Sequence, residues 1–186
     1  MAEHDERVEV LGTGRWLRLL RRGNWEMVER AGQPAVVVLV AVTPAGEMLL
    51  VEQHREPVRA NVVELPAGLV GDEPGSRGEA LEEAARRELI EETGWDCADV
   101  ERLSAGPPSA GVSSEIVTLV RASGLVRVGA GGGNDDERIT VHAVPLPEVA
   151  GWLAARERAG AMVDPKVWAG LWFATQTAGG GADGRS

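Results

Sequence analysis

Residues 64–95 read ELPAGLVGDEPGSRGEALEEAARRELIEETGW, and the second half of this stretch decides the fold. On a helix at about 100° per residue, the segment 81–93 gathers five residues on one side and a sixth at its edge: Leu81, Ala84, Ala85, Glu88 and Glu92, with Glu91 at the edge. Like charges one turn apart repel by about 0.2–0.5 kcal/mol per pair, and burial disfavours their charged forms further. A divalent cation resolves this conflict, because Mg²⁺ takes oxygen ligands and bridges substrate phosphates. The alternative, a solvated acidic face, predicts carboxylates opposite the apolar stripe.

The same stretch resembles the Nudix box of pyrophosphohydrolases, G-x5-E-x7-R-E-U-x-E-E-x-G-U, where U is a bulky apolar residue. Residues 87–95 carry the second half of the pattern, and Glu79 stands at the required spacing before Arg87. Ten residues, in place of five, separate Gly68 from Glu79, so we expect a five-residue insertion within 69–78. The resemblance implies the Nudix fold, a mixed β-sheet sandwiched between helices in the α/β (α+β) class, here with a short N-terminal β-sheet extension.

Segments outside the box resemble the ADP-ribose pyrophosphatase branch of this superfamily: NWEMVER, GEMLLVEQHREPV, VVELPAG and WLAARERAGAMVDPKVWAGL. The resemblance implies hydrolysis of the pyrophosphate bond of a nucleoside diphosphate linked to another group, such as ADP-ribose or a nucleotide sugar. It also implies Mg²⁺ or Mn²⁺ as cofactor, and a homodimer whose N-terminal strands reach toward the partner's site. Two alternatives stay open: a Nudix hydrolase of damaged nucleoside triphosphates, and a non-catalytic nucleotide-sensing module.

The metal-ligand and orienting roles fall on the box and on the PAG turn before it. Glu88 and Glu92, one helical turn apart, are the expected metal ligands. The resemblance adds the backbone carbonyl of Ala67. Arg87 is expected to pair with a box glutamate and orient it, and Glu91 is a third ligand or a catalytic base.

A later loop supplies a second candidate base. The segment SAGVSSE (109–115) resembles the SPGxSDE loop of the family, whose acidic residue maps onto Glu115 and whose proline maps onto Ala110. The resemblance implies that Glu115 is a catalytic base or a partner of the metal site. The alternative is a solvated acid at a loop end.

Three further residues are expected to bind the substrate. Arg55 matches a position that binds phosphate or ribose, Trp25 matches one where an aromatic ring stacks on adenine, and Glu64 ends the strand that leads to the PAG turn. The alternatives are a surface ion pair of Arg55 with Glu52 or Glu56, and a core or dimer-interface position for Trp25.

Composition restricts the class of protein. The 186 residues and 44 % hydrophobic content are sufficient for one domain with a core. The net charge of −10 disfavours a nucleic-acid surface. An anionic substrate would be repelled by this charge, so local arginines are needed to attract it.

The lone Cys97 cannot form an internal disulfide and is expected to be a small buried residue. With no apolar leader in the first ten residues and no apolar run long enough to span a bilayer, we expect a cytoplasmic protein without a membrane partner.

The chain order predicts three parts: an N-terminal β-strand extension for dimerisation (1–33), a Nudix hydrolase domain (34–178) and a disordered tail (179–186). Strands are expected at 8–11, 15–20, 25–30, 35–42, 48–54, 61–65, 100–103, 116–121 and 139–144, and helices at 81–93, 147–158 and 165–177. The continuous apolar run 35–42 predicts a strand buried on both faces, and 48–54 is expected to pair back on it as a hairpin. The glycine-rich segment 129–137 is expected to be a flexible loop tip. Helical spacing assigns three tryptophans to the core: Trp152, Trp168 and Trp172.

Overall fold

The computed structural model describes residues 7–32, 35–71, 78–134 and 138–176. The strands of these residues are β1 (Val8–Thr13), β2 (Leu17–Arg22), β3 (Trp25–Arg30), β4 (Val36–Ala41), β5 (Glu47–Arg55), β6 (Ala60–Glu64), β7 (Ala67–Leu69), β8 (Trp95–Asp96), β9 (Asp99–Gly106), β10 (Val117–Ser123), β11 (Val126–Arg127), β12 (Thr140–Pro145) and β13 (Met162–Val163). The helices are α1 (Leu81–Thr93), α2 (Val149–Arg158) and α3 (Pro165–Thr175), and a 3₁₀ turn at Leu146–Glu148 precedes α2. The predicted tail, 179–186, lies outside this description.

The strands form two four-stranded sheets, one three-stranded sheet and one short pair. Their orders are β7-β4-β10-β9, β12-β5-β6-β13, β1-β2-β3 and β11-β8. The pairs β4–β10 and β6–β13 are parallel and the others antiparallel. The mixed sheets and the separate N-terminal sheet confirm the predicted fold class, although the prediction gave one mixed sheet where the structure has two.

Strand β4 separates the two halves of the core. Val37 and Leu39 pack with α1, whereas Val38 and Val40 pack with residues of α2 and α3. All four side chains are buried, as expected for a continuous apolar strand covered on both faces. Helix α1 therefore lies on one side of this sheet and the C-terminal helices on the other.

The prediction that 48–54 pairs with 35–42 as a hairpin is wrong, apart from the residues next to the turn. Val42 and Met48 form an isolated antiparallel bridge, but β5 pairs with β6 and β12 while β4 pairs with β7 and β10. Because other strands occupy both edges of each, β4 and β5 diverge into different sheets.

Helix α1 has the predicted bounds, Leu81–Thr93, and Gly94 caps its C-terminal end. This residue adopts a left-handed conformation (φ 75°), and its N–H donates to the carbonyl of Ile90 at 2.8 Å. A glycine tolerates that conformation without a steric penalty. The helix therefore stops one residue after its carboxylate-bearing turn.

The predicted core position of two tryptophans on α3 is wrong. Trp168 is 43 % exposed and Trp172 57 % exposed, whereas Trp152 packs against the core. Helix α3 instead approaches the sheet through Val167 and Gly170. A side-chain carbon added to Gly170 would lie 2.7 Å from Leu65. No helix of the described residues is long and apolar enough to cross a membrane.

Candidate active site

Strand β7 lies directly against two carboxylates of α1. The N–H of Ala67 donates to Glu92 Oε2 at 3.0 Å, and a side-chain carbon added to Gly68 would overlap the carboxylate of Glu88. Glu88 is only 9 % exposed and Glu92 only 4 %. These carboxylates therefore occupy the buried side of the helix, which contradicts the alternative of a solvated acidic face.

Arg87 ties the helix to the segment before it. Its Nη1 donates to Glu88 Oε1 at 2.7 Å, its Nε to Glu79 Oε1 at 3.1 Å and its Nη2 to the carbonyl of Leu69 at 3.0 Å. Glu79 also accepts from the N–H of Gly71 at 3.0 Å. Burial lowers the pKa of Arg87, but its bonds with Glu79 and Glu88 outweigh burial and raise that pKa above its ordinary value. The arginine stays charged and fixes the orientation of Glu88.

The opposite side of the site is built by a loop that runs along β3. The N–H of Val28 donates to the carbonyl of Val112 at 2.8 Å, which aligns the segment 109–115 with the strand. At the end of this segment, Glu115 Oε1 accepts from Arg30 Nε at 3.0 Å. The predicted candidate base is therefore paired with an arginine of the N-terminal sheet.

Strand β5 contributes two polar side chains to the site. Gln53 and Arg55 are two residues apart and therefore project from the same face, and both line the cavity. Arg55 Nε donates to Glu64 Oε2 at 2.7 Å. The glutamate partner of Arg55 is thus Glu64 of β6, and the two predicted substrate-binding residues contact each other.

These elements enclose a cavity of about 440 Å³. Its lining comprises Arg30, Val36, Gln53, Arg55, Ala67, Gly68, Leu69, Arg87, Glu88, Glu91, Glu92, Glu115 and Asn134. Four glutamates therefore face three arginines, an arrangement that can attract phosphate groups and still favours an added cation. The local arginines that the acidic chain requires are present.

Most of the predicted site residues converge on this cavity. Arg55, Ala67, Arg87, Glu88, Glu91, Glu92 and Glu115 line it, and Glu64 contacts Arg55. Trp25 lines a different cavity of about 320 Å³, together with Met27 and residues 110–114, and is 62 % exposed. The structure does not bring Trp25 to the carboxylates within this chain.

Three lining residues with polar side chains were missed by the sequence prediction: Arg30, Gln53 and Asn134. Gln53 adjoins the QHRE segment, so the alternation of β5 could have identified it. Arg30 ends a predicted strand and is 85 residues from its partner Glu115, so no local signal marks it. The middle of the predicted insertion, 72–77, lies outside the described residues.

The described part of the glycine-rich segment, 129–134, differs from the predicted flexible tip, and residues 135–137 lie outside the described residues. In this part, the N–H groups of Gly132 and Gly133 donate to the carbonyls of Glu92 and Glu91 at 2.8 and 3.1 Å. Asn134 Nδ2 also donates to Glu91 Oε1 at 2.8 Å. Residues 129–134 are therefore packed onto the last turn of α1.

The donor chemistry of the cavity suits a hard divalent cation, since carboxylate oxygens are its preferred protein ligands. Across the described residues, no group of three or more His, Cys, Asp or Glu side chains is arranged to hold a metal ion by itself. Mg²⁺ usually keeps several waters and takes further oxygens from substrate phosphates. The buried pair of Glu88 and Glu92 fits such a partial protein ligand set.

Comparison with known proteins agrees with this geometry. The family model for the NUDIX domain matches residues 32–164. The methanol dehydrogenase activator of Bacillus methanolicus is 32 % identical over 78 % of this chain and 80 % of its own length. The ADP-ribose pyrophosphatase of Mycobacterium tuberculosis is 32 % identical over 81 % of this chain and 75 % of its length, and that of Bacillus subtilis is 35 % identical over 57 % and 55 %.

A solved structure described as a crystal structure of ADP compounds hydrolase has the same fold. It aligns with a TM-score of 0.66 over 91 % of this chain and 90 % of that chain, at 20 % sequence identity. The chain belongs to the Nudix family. It is a Nudix hydrolase of the ADP-ribose pyrophosphatase-like branch, which confirms the resemblance of its box and flanking segments.

Proposed function

We propose that this chain hydrolyses the pyrophosphate bond of a nucleoside diphosphate linked to another group, with ADP-ribose or a nucleotide sugar as substrate. The observation that carries this proposal is the convergence of three glutamates of one helix and three arginines on one cavity. The glutamates suit a cation and the arginines suit phosphates. Two relatives named ADP-ribose pyrophosphatase support the substrate class.

Activity is proposed to require Mg²⁺ or Mn²⁺. Glu88 and Glu92 would hold the cation, with the carbonyl of Ala67 as a further ligand. When bound, such a cation neutralises phosphate charge and lowers the pKa of the attacking water. Arg87 serves this arrangement by fixing Glu88, because its fork of donors is already engaged with Glu79 and Leu69.

The reaction adds one water across the anhydride. A bond forms between the water oxygen and one phosphorus, the bridging P–O bond breaks, and a carboxylate accepts a proton from the water. Glu91 and Glu115 are the two candidate bases, and both line the cavity. Arg55 and Arg30, which line the cavity and pair with Glu64 and Glu115, are proposed to bind the phosphates. Separate Glu91→Gln and Glu115→Gln variants distinguish the two candidates. The variant of the residue that acts as base should lower kcat strongly while changing KM little.

The active form is proposed to be a homodimer in which residues 1–33 contribute to the interface. All six residues of β1 are exposed. Large apolar side chains of the N-terminal sheet and of its first turn are also exposed, among them Val10, Trp16, Leu19 and Trp25. An exposed apolar surface of this kind is typical of a protein interface. In a dimer, Trp25 could reach a substrate from the partner's side.

The test is a product-release screen over ADP-ribose, nucleotide sugars, dinucleotides and nucleoside triphosphates, each with Mg²⁺, Mn²⁺ or excess EDTA. We expect cleavage of a nucleoside diphosphate-linked substrate with either metal, and no turnover in EDTA. Undiminished turnover after exhaustive EDTA treatment would refute the metal requirement. A kcat/KM for a triphosphate at least tenfold above that of every diphosphate-linked substrate would contradict the proposed substrate class. It would correspond to a transition state stabilised by about 1.4 kcal/mol more with the triphosphate.

A further inference from the structure

Each of the three α1 glutamates in the cavity accepts a hydrogen bond from a different element. Glu88 is bound by Arg87 of the helix itself, and Glu92 by the N–H of Ala67 in β7. Glu91 is bound by Asn134, which comes from a segment 43 residues further along the chain. A carboxylate can only accept, so the Asn134 amide presents its NH₂ group to Glu91 Oε1. Glu91 itself lines the cavity.

Asn134 belongs to an arm, residues 129–134, that is anchored on the same helical turn. The N–H of Gly133 donates to the carbonyl of Glu91 at 3.1 Å, and the N–H of Gly132 donates to the carbonyl of Glu92 at 2.8 Å. Carbonyls in the last turn of a helix have no partner within the helix, so these bonds satisfy them. The backbone that carries Asn134 is thus fixed relative to the side chain that Asn134 binds.

The glycines of the arm are needed for this close approach. Gly131, Gly132 and Gly133 all have positive φ angles, of 73°, 111° and 80°. A side-chain carbon on Gly131 would lie 2.7 Å from the nitrogen of Gly94. A residue with a side chain would be strained at each of these three positions, and at Gly131 it would also collide with the end of α1. The glycine run therefore works as a close-fitting support for Asn134.

We propose that Asn134 is a positioning residue for hydrolysis, which holds Glu91 in its working orientation in the cavity. This inference rests on the proposed pyrophosphatase function. Asn134 acts through Glu91, so its removal affects the rate of the bound complex more than substrate affinity. The effect disappears when the Glu91 carboxylate is already absent.

The test compares Asn134→Ala and Asn134→Asp in the full-length protein. Asn134→Ala removes the donor, and we expect kcat to fall about tenfold with KM changed less than about twofold. Asn134→Asp has nearly the same shape but places a second carboxylate against Glu91, so we expect a larger loss than for alanine. Equal losses in the two variants, or unchanged kcat in Asn134→Ala, would overturn the inference.

A double-mutant cycle with Glu91→Gln separates positioning from a merely structural role. In the Glu91→Gln background, Asn134→Ala should lower kcat by less than about twofold, because residues that act as a unit are non-additive. A full additional tenfold loss there, or a matching fall in the thermal midpoint, would show that Asn134 only supports the fold. A wild-type protein inactive on every pyrophosphate substrate refutes the proposed function itself. An active wild type with unaffected Asn134 variants refutes this inference alone.

Discussion

Gly68 of β7 lies so close to Glu88 of α1 that a side-chain carbon on the glycine would overlap the glutamate carboxylate. The contact joins the PAG turn to the box helix, and the N–H of the preceding Ala67 binds Glu92. The backbone of one element therefore sets the positions of two carboxylates on another. The glycine is required here because no side chain fits beside Glu88. Its backbone conformation does not require a glycine, because its φ lies outside the left-handed region.

Gly68→Ala is expected to lower kcat at least about 10²-fold, because Glu88 must move out of its position in the cavity. The overlap should also lower the free energy of unfolding by about 1–3 kcal/mol. Steady-state kinetics and urea denaturation measure the two effects. Gly151→Ala in α2 is the matched control, since its added carbon meets nothing within 4 Å. Equal activity of both variants would contradict the contact.

Arg87→Lys is expected to reduce kcat by about tenfold or more although the charge is kept. A lysine ammonium cannot reproduce the fork that reaches Glu79, Glu88 and the Leu69 carbonyl together. Arg86→Lys, at an exposed position of the same helix that pairs with Asp96, serves as the control. We expect near wild-type kcat for the control, and a similar result for Arg87→Lys would exclude the proposed orienting role.

Local patterns were sufficient to predict the box helix and its acidic side. The positions of Glu88 and Glu92 follow from helical periodicity alone, and Gly94 marks the end. The burial of β4 on both faces follows from its unbroken apolar run. Such features depend on residues a few positions apart, so a single sequence contains the information.

Contacts between segments that are distant in the chain could not be predicted from such local patterns. The pairing of Arg30 with Glu115 joins residues 85 positions apart, and the divergence of β4 from β5 depends on which strands take their edges. The glycines of 129–134 predict a flexible tip, because glycine marks loops in general. Only the tertiary contact with α1 shows that their positive φ angles serve close packing. The exposure of Trp168 likewise becomes clear only in the structure, where α3 faces the sheet through Val167 and Gly170.

Acid is expected to destabilise the protein through Glu52, a buried glutamate outside the cavity. Arg156 Nη2 donates to both of its oxygens at 2.6 and 2.5 Å, and His142 Nε2 lies 3.0 Å from Oε2. Burial raises the pKa of Glu52, but the bonds with Arg156 and His142 outweigh burial and leave the pKa below its ordinary value of 4.5. A lowered folded-state pKa stabilises the protein above pH 4.5, and this contribution is lost as the pH falls through the folded value.

Urea denaturation from pH 7 to pH 3 measures this contribution. Glu52→Gln should lower the free energy of unfolding at pH 7 by about 1–3 kcal/mol, because a hydrogen-bonded charge is lost. The difference between wild type and variant should shrink below pH 4.5 as Glu52 becomes protonated. A difference that stays constant over this range would contradict the assignment of the acid sensitivity to Glu52.

The proposed homodimer predicts that Leu19→Glu weakens self-association by at least about tenfold. A charge on the exposed N-terminal sheet would have to be desolvated in the interface. Sedimentation equilibrium at micromolar concentration measures the effect. Trp168→Ser, which changes an exposed tryptophan on α3, is the control and should remain dimeric. A fully active wild-type monomer at this concentration would contradict the proposal.

The central claim is that the buried carboxylates of α1 hold the cation for pyrophosphate hydrolysis. Glu92→Gln tests it most directly, because the substitution removes a charged ligand at almost constant volume. The measurement is kcat for ADP-ribose with saturating Mg²⁺ in wild type, Glu92→Gln and the exposed-face control Glu82→Gln. We predict a loss of about 10²-fold or more in Glu92→Gln, with an unchanged or higher thermal midpoint, and full activity in the control. Wild-type turnover by a folded Glu92→Gln protein would contradict the claim.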